Sequence, residues 1–229
     1  MEKVFGTWRI SVERTPLTDT ELARMYDLAA PSWHSSISLL GYLQAYADLF
    51  ARLRTEGLLG RLQNAAPVLD CGIGTAALSL ALTRTIPARL QIHGVDIAPQ
   101  MLREARHNLA TAHVNAQLQC QDVRDLPFDD HSFELVMSAH MLEHLPDPFA
   151  GLREMSRVLR PGAPLLLIVT RPGILGSLIH MRWRNTCIDP AVLEDWMTKI
   201  GLSTVQLHEF AAGPRWCRWI SIACVGLKT

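Results

Sequence analysis

The sequence predicts an α/β fold, a doubly wound and mainly parallel sheet with helices on both faces. Two observations carry this prediction. From Pro67 onward, short apolar or β-branched runs alternate with helical patterns. The runs are apolar throughout instead of alternating with polar residues, which is typical of strands buried on both faces. The 229 residues are enough for one such domain with a sizeable core.

Residues 1–65 are expected to be helical and to form a cap ahead of a core that spans 66–229. Thr18 and Glu21 have the spacing of a capping box, and the helix that they open is expected to end at Pro31. A second amphipathic pattern follows and places four apolar residues on one face: Leu39, Leu43, Tyr46 and Leu53.

The first part of the core is expected to contain five strands with helices between them. The strands are expected at 67–70, 90–96, 116–122, 133–139 and 164–170. The helices are expected at 75–84, 99–112 and 149–159.

Beyond residue 170 the periodicity weakens, and the segment near 171–188 is interpreted as a substrate-facing insertion. A helix follows, with Asp189 as its N-cap and Gly201 at its end. The stretches STVQLHEF and RWISIACVGL then predict two strands that pair antiparallel and place one reversed strand at the sheet edge.

Composition narrows the choice of partners and compartment. Lys plus Arg and Asp plus Glu both total 22, so no net charge attracts a polyanion, and a small molecule is expected in preference to nucleic acid. The five cysteines form no C-x-x-C pair, which favours a reduced, cytoplasmic chain.

The longest apolar run, 163–170, is too short to span a bilayer, so no stable membrane insertion is expected. The sequence indicates no particular oligomeric state, and no metal site is expected.

Residues that carry chemistry fall at the carboxyl ends of the first four expected strands. In chain order these are Asp70 with Gly72 and Gly74, Asp96, Asp122, and Ala139 with His140. Ligands of open α/β sheets bind at such ends. A diphosphate in the glycine loop would be repelled by these carboxylates, because like charges repel. A nucleoside with a positive ammonium and sulfonium fits better, and S-adenosylmethionine is such a ligand.

Two alternatives remain open at this point. GIGTAA also fits the G-x-G-x-x-G/A fingerprint, and Asp96 lies near the distance downstream that an NAD(P)-dependent oxidoreductase requires. The second alternative is a non-catalytic subunit that binds S-adenosylmethionine without turnover, since a fold alone does not fix an activity.

Four ordered stretches between about Pro67 and Thr170 resemble the class I S-adenosylmethionine-dependent methyltransferases of the small-molecule type, similar to the quinone-biosynthesis group. They are VLDCGIGTA, GVDIAPQML, QDVRDLPFDDHSFELVMSAHMLEHL and LREMSRVLRPGAPLLLIV. The resemblance implies a Rossmann-like, seven-stranded sheet with its last strand antiparallel. It also implies S-adenosylmethionine as cofactor and S-adenosylhomocysteine as product.

The resemblance further implies the residues that bind the cofactor. Asp70, Gly72 and Gly74 match the loop that cradles the methionine part, and Asp96 matches the acid that accepts from the ribose hydroxyls. Around the adenine it implies Ile97, Met101, Asp122 and Val123, with Ala139 at the end of the fourth strand. Ala76 stands where this loop often has a glycine, and only a slight adjustment is expected there.

The expected reaction is an in-line transfer of a methyl group to an O, N, S or C nucleophile of a small molecule. Such a reaction needs mainly positioning, and a base only where the nucleophile must lose a proton. His140, His144 and Tyr26 are the candidate catalytic residues. Of these, His140 is the better candidate to face the substrate, and packing or capping is expected for His144.

Overall fold

The computed structural model describes residues 2–5, 8–11, 17–173 and 187–229. Its strands, in chain order, are β1 (Glu2–Phe5), β2 (Trp8–Ser11), β3 (Pro67–Cys71), β4 (Gln91–Asp96), β5 (Ala116–Cys120), β6 (Leu135–Ala139), β7 (Pro164–Thr170), β8 (Leu202–His208) and β9 (Ser221–Lys228). Its helices are α1 (Asp19–Leu39), α2 (Tyr42–Thr55), α3 (Ala77–Thr85), α4 (Pro99–Thr111), α5 (Pro148–Val158), α6 (Pro190–Lys199) and α7 (Arg215–Ile220). A short 3₁₀ turn, Leu142–His144, lies between β6 and α5.

Strands β3 to β9 form one sheet in the order β5-β4-β3-β6-β7-β9-β8. Strands β3 to β7 pair in parallel, and β9 runs antiparallel to both of its neighbours. The predicted α/β class, the seven strands and the reversed last strand are therefore confirmed. The order of strands reverses between β3 and β6, which is the point where ligands of this architecture bind.

The position and start of the reversed strand were predicted wrongly. Strand β9 lies between β7 and β8, so the sheet edge is β8 and not the reversed strand. The strand also begins at Ser221, because Trp219 and Ile220 belong to α7. Pro214 precedes this helix, and a proline at a helix start is preorganised for helical backbone. Helix α7 replaces the tight turn that an edge hairpin would need.

The expectation of a wholly helical N-terminal region is wrong at its first residues. Strands β1 and β2 pair antiparallel, with Glu2 opposite Ser11. EKVF and WRIS contain aromatic and β-branched residues with a glycine between them in the sequence, which is a hairpin pattern. The capping box of Thr18 and Glu21 is confirmed at the start of α1.

Helix α1 does not end at Pro31 but continues through it to Leu39. Proline removes one helical hydrogen bond, and tertiary packing has to compensate for that loss. Ala30 is buried against Ala98 and Met101 next to the proline. A second contact lies one turn earlier, where the Gln100 backbone N–H donates to the Asp27 carboxylate over 2.7 Å. Packing on α4 thus keeps α1 a continuous helix through Pro31.

The sheet is covered on both faces. On one face, Leu49 and Phe50 of α2 belong to the same buried cluster as Leu82 of α3. On the other face, Leu152 of α5 and Leu193 of α6 are buried in a second cluster. The interpretation of 171–188 as an insertion falls mainly on 174–186, which lie outside the described residues. Among the helices that are described, none has the length and apolar character needed to cross a membrane.

Candidate functional site

A cavity opens beyond the carboxyl ends of β3, β4 and β6. Every site residue that the sequence predicted lines this cavity: Tyr26, Asp70, Gly72, Gly74, Asp96, Ile97, Met101, Asp122, Val123, Ala139, His140 and His144. The structure thus brings together acids and glycines from three strand ends and two histidines that follow a fourth. Their individual roles remain predictions.

The glycine loop after β3 needs glycine for two physical reasons. Gly72 and Gly74 have φ of +69° and +53°, in the left-handed region that L side chains rarely adopt. A Cβ on Gly72 would lie 2.4 Å from Cγ of Met141, closer than packed atoms come. The loop is fixed to the next strand, because the N–H groups of Gly72 and Ile73 both donate to the Val95 carbonyl.

Ala76 also has a left-handed backbone, with φ of +67°. It is fully buried and stands as the N-cap of α3. Left-handed backbone costs an L residue roughly 1–2 kcal/mol, whereas glycine bears no such cost. This explains why a glycine is common at this position. The alanine keeps the same turn, and its N–H donates to the Ile73 carbonyl over 2.8 Å.

Asp96 joins the end of β4 to the glycine loop. Its Oδ2 accepts from the Gly74 N–H and its Oδ1 from the Ala98 N–H, both over 2.9 Å. Burial raises the pKa of this carboxyl, and the backbone donors oppose the rise. The two carboxylate oxygens have four lone pairs between them, so these backbone bonds leave further acceptor capacity.

Asp70 is buried below the loop, with only 1% of its surface exposed. The Ser79 hydroxyl donates to its Oδ2 over 2.6 Å. Burial raises the pKa of Asp70 to about 7, with a further contribution from the negative charge of Asp96. At neutral pH this carboxyl is therefore poised between its two protonation states.

Asp122 is paired with an arginine that the sequence reasoning missed. The guanidinium Nε of Arg124 lies 3.0 Å from both carboxylate oxygens of Asp122. The same guanidinium reaches Asp19 at the start of α1 over 2.5 Å. This pairing lowers the pKa of Asp122. Arg124 also offsets part of the negative charge of the cavity, so the site is less acidic than its carboxylates alone indicate.

Tyr26 of α1 contacts His144, and both side chains line the cavity. The Tyr26 hydroxyl lies 2.7 Å from Nε2 of His144, and the two rings meet edge to face at 5.4 Å. Burial and the charges of Glu143 and Asp96 raise the pKa of Tyr26 well above its ordinary value. The phenol therefore stays protonated at neutral pH, which argues against a role for Tyr26 as a general base.

His140 follows β6 directly and is held to a carboxylate that the sequence reasoning also missed. Its Nδ1 lies 3.0 Å from Oε1 of Glu143, whose side chain is fully buried. The backbone N–H of His140 donates to the Ile168 carbonyl, which fixes the residue to β7. The spacing H-x-x-E in SAHMLEHL was the available signal, because a turn brings residues three apart together.

The remaining wall of the cavity is apolar. It consists mainly of side chains from the first two helices and from the helix after the glycine loop: Leu22, Trp33, Ile37, Tyr46 and Leu78. Aromatic and aliphatic walls with a few polar groups are typical of small-molecule sites.

Comparison with known proteins assigns the family. Residues 68–162 match a family model described as "Methyltransferase domain". A demethylmenaquinone methyltransferase from Listeria monocytogenes is 31% identical over 165 residues, which cover 71% of this chain and 68% of that protein. The chain belongs to the class I S-adenosylmethionine-dependent methyltransferases.

Further relatives agree with this family. A demethylmenaquinone methyltransferase from Porphyromonas gingivalis is 30% identical over 160 residues, 64% of this chain and 65% of that protein. This methyltransferase therefore spans about two thirds of the length of these two relatives. Magnesium protoporphyrin IX methyltransferase from Synechocystis, solved with S-adenosylhomocysteine, shares the fold. The TM-score is 0.64 at 17% identity, with coverage of 82% of this chain and 84% of that chain.

The cofactor of the methyltransferase is S-adenosylmethionine, and the cavity fits it. Carboxylate oxygens with spare lone pairs suit hydroxyl donors, and the glycines let a ligand approach the backbone closely. The carboxyl groups of Asp70 and Asp96 beside the glycine loop suit a cation better than a diphosphate. Family membership and this charge pattern do not favour the oxidoreductase alternative.

Proposed function

We propose that this protein transfers the methyl group of S-adenosylmethionine to a nucleophilic atom of a small, largely apolar molecule. One observation carries the proposal: a single cavity joins the glycine loop and its carboxylates to a wall of aliphatic and aromatic side chains. The polar rim suits the cofactor, and the apolar wall suits an acceptor such as a phenol or a quinol. The relatives named for demethylmenaquinone support an acceptor of this class.

We propose the following distribution of roles for binding the cofactor. Asp96 accepts from the ribose hydroxyls, and Gly72 and Gly74 let the methionine part lie against the backbone, with Asp70 below it. The adenine side is assigned to Ile97, Met101, Asp122 and Val123, with Ala139 at the strand end between cofactor and acceptor. Helix α1 acts as the cap, because Tyr26 and its neighbours on this helix line the cavity.

S-adenosylmethionine supplies a methyl group that is already activated by its positive sulfur. The protein therefore contributes mainly by holding the acceptor in line with that group and by excluding water. The apolar side chains of Ile37, Tyr46 and Leu78 would exclude water around the acceptor. His140, which follows β6 and lines the cavity, is proposed to take a proton from the acceptor.

Titration calorimetry with S-adenosylmethionine tests the cofactor roles. Asp96→Asn removes the negative charge and one acceptor, and hydrogen bonds to charged groups contribute about 1.5–3 kcal/mol. The affinity is expected to fall about 10- to 100-fold. Asp195→Asn, an exposed carboxylate on α6, is the matched control and should bind as the wild type does. Equal affinity of Asp96→Asn and the wild type would refute the ribose assignment.

A screen of phenols, quinols, amines and thiols for release of S-adenosylhomocysteine tests the acceptor class. Turnover of apolar phenols or quinols is the expected result. Tight cofactor binding without turnover of any acceptor would instead support a non-catalytic binding subunit.

A cytoplasmic location is part of the same proposal. All five cysteines are free thiols, and free thiols persist in reducing compartments. A small molecule is proposed as partner in preference to nucleic acid, because Lys plus Arg and Asp plus Glu balance at 22 each.

A further inference from the structure

We propose that Glu143 is a positioning residue that holds His140 as the proton acceptor of the reaction. The methyl acceptor then reacts through a group that must lose a proton, as a phenol or a quinol does, and not through an amine that is already basic. This inference rests on the proposed function. It concerns a carboxylate that lies outside the cofactor residues.

Glu143 is a buried carboxylate with three donors around it. Its side chain is 0% exposed. Oε2 accepts from the Thr170 backbone N–H over 3.1 Å, and Oε1 accepts from the Thr170 hydroxyl over 2.9 Å. The third neighbour is Nδ1 of His140, 3.0 Å from Oε1. A buried carboxylate is costly unless several donors satisfy it, and here they fix its position and its direction.

This arrangement sets the tautomer of His140. An ionised carboxylate only accepts hydrogen bonds, and the Thr170 hydroxyl, 3.2 Å from Nδ1, already donates its proton to Glu143, so the ring donates through Nδ1–H. The lone pair of the neutral ring is then on Nε2. Nε2 lies 3.3 Å from Oγ of Ser221, and Oγ lies 3.0 Å from the hydroxyl of Tyr42. The nitrogen that can take a proton is thus the one turned away from Glu143 and towards Ser221, on a ring that lines the cavity.

The backbone of His140 supports a functional placement. Its φ is +55°, in the left-handed region, which costs an L residue roughly 1–2 kcal/mol. The backbone bond to Ile168 and the ring bond to Glu143 hold it there. Strained residues held by several contacts cluster at functional sites.

The proposed step balances in atoms and electrons. The X–H bond of the acceptor breaks and its proton passes to Nε2 of His140. The electron pair left on X forms the new bond to the methyl carbon, and the pair of the broken carbon–sulfur bond stays on sulfur. Glu143 stabilises the resulting imidazolium, which later returns the proton to water. General-base help of this kind typically contributes 10²- to 10⁴-fold in rate.

Nuclear magnetic resonance of ¹⁵N-histidine-labelled protein, without cofactor or acceptor, tests the positioning role directly. The signal of His140 is assigned by its loss in His140→Gln. We expect the Nδ1–H tautomer in the wild type. In Glu143→Gln the amide can donate to Nδ1, so the Nε2–H tautomer should appear. A wild-type ring with its proton on Nε2 would overturn the proposal, whether or not the variant folds.

Kinetics with naphthohydroquinone as the probe test the substrate class. Glu143→Gln should lower kcat about 100-fold while KM for the probe and the affinity for S-adenosylmethionine change little. Glu134→Gln, directly before β6 and paired with Arg61 and Arg160, is the matched control and should keep the wild-type rate. An unchanged kcat in Glu143→Gln would overturn the proposal.

The two hypotheses fail in different ways. Turnover of a basic alkylamine, but of no phenol or quinol, would overturn the proton-acceptor role and leave methyl transfer intact. Absence of turnover with every acceptor would contradict the proposed function, while the tautomer measurement would still decide the role of Glu143.

Discussion

The carboxyl of Asp70 should make the protein less stable as the pH rises. Burial raises its pKa from 3.8 to about 7 in the folded protein. The folded state therefore holds a proton that the unfolded state has already released, so the stabilising contribution is complete below about pH 4. It is lost as the pH rises through 7. A rise of about three pKa units corresponds to about 4 kcal/mol in the free energy of unfolding.

Urea unfolding between pH 4.5 and 8 measures this effect. Asp70→Asn keeps an acceptor for the Ser79 hydroxyl but cannot ionise. The free energy of unfolding of the wild type, relative to this variant, should fall by about 2 kcal/mol between pH 5 and pH 7. Asp195→Asn replaces an exposed carboxylate, and its free energy of unfolding should change with pH as that of the wild type does.

A constant difference in the free energy of unfolding between wild type and Asp70→Asn across this pH range would refute the reasoning from burial.

Cofactor binding offers a second check, because the positive charges of S-adenosylmethionine favour the ionised form of a nearby carboxyl. Cofactor binding near pH 7 should then release a proton from Asp70. The heat of binding should vary with the ionisation enthalpy of the buffer, and this variation should vanish in Asp70→Asn.

Two further predictions follow from the geometry around the cavity. Gly72→Ala should lower the free energy of unfolding by about 2–4 kcal/mol, from left-handed strain and from the contact with Met141. Gly57→Ala has similar backbone strain at φ +82° but no atom within 4 Å of the new Cβ, so thermal unfolding should show a smaller loss; equal losses would disprove the contact. Tyr26→Phe removes the bond to His144, worth about 1 kcal/mol, and calorimetry should show about fivefold weaker cofactor binding. An unchanged affinity of Tyr26→Phe for S-adenosylmethionine would show that the Tyr26–His144 bond does not contribute to cofactor binding.

Much of the sheet could be predicted because its signals are local. The apolar runs before Asp70, Asp96 and Ala139 identify buried strands, and the intervening periodicity identifies helices. Parallel strands bring their carboxyl ends to one edge of a sheet, so the acids could be placed around one cavity from the sequence alone. Boundaries differ by a residue or two, as at β6, which begins at Leu135 and not at residue 133.

The features that escaped prediction depend on contacts between distant parts of the chain. Helix α1 passes through Pro31 because it packs on α4, which no local pattern reveals. Arg124 was overlooked because its second partner, Asp19, is 105 residues away. Glu143 has a local signal in its H-x-x-E spacing from His140, but its burial and its two bonds to Thr170 of β7 depend on distant parts of the chain.

The place of β9 in the sheet has a consequence for biosynthesis. This strand is translated after β8, yet it lies between β7 and β8, and β8 pairs with β9 within the described chain. Until β9 has paired with β7, β8 has no strand to dock on, and Leu193 and Met197 of α6 lack part of the cluster that buries them in the folded chain. Chains in which β9 has not yet docked are therefore the ones most open to aggregation and to capture by chaperones.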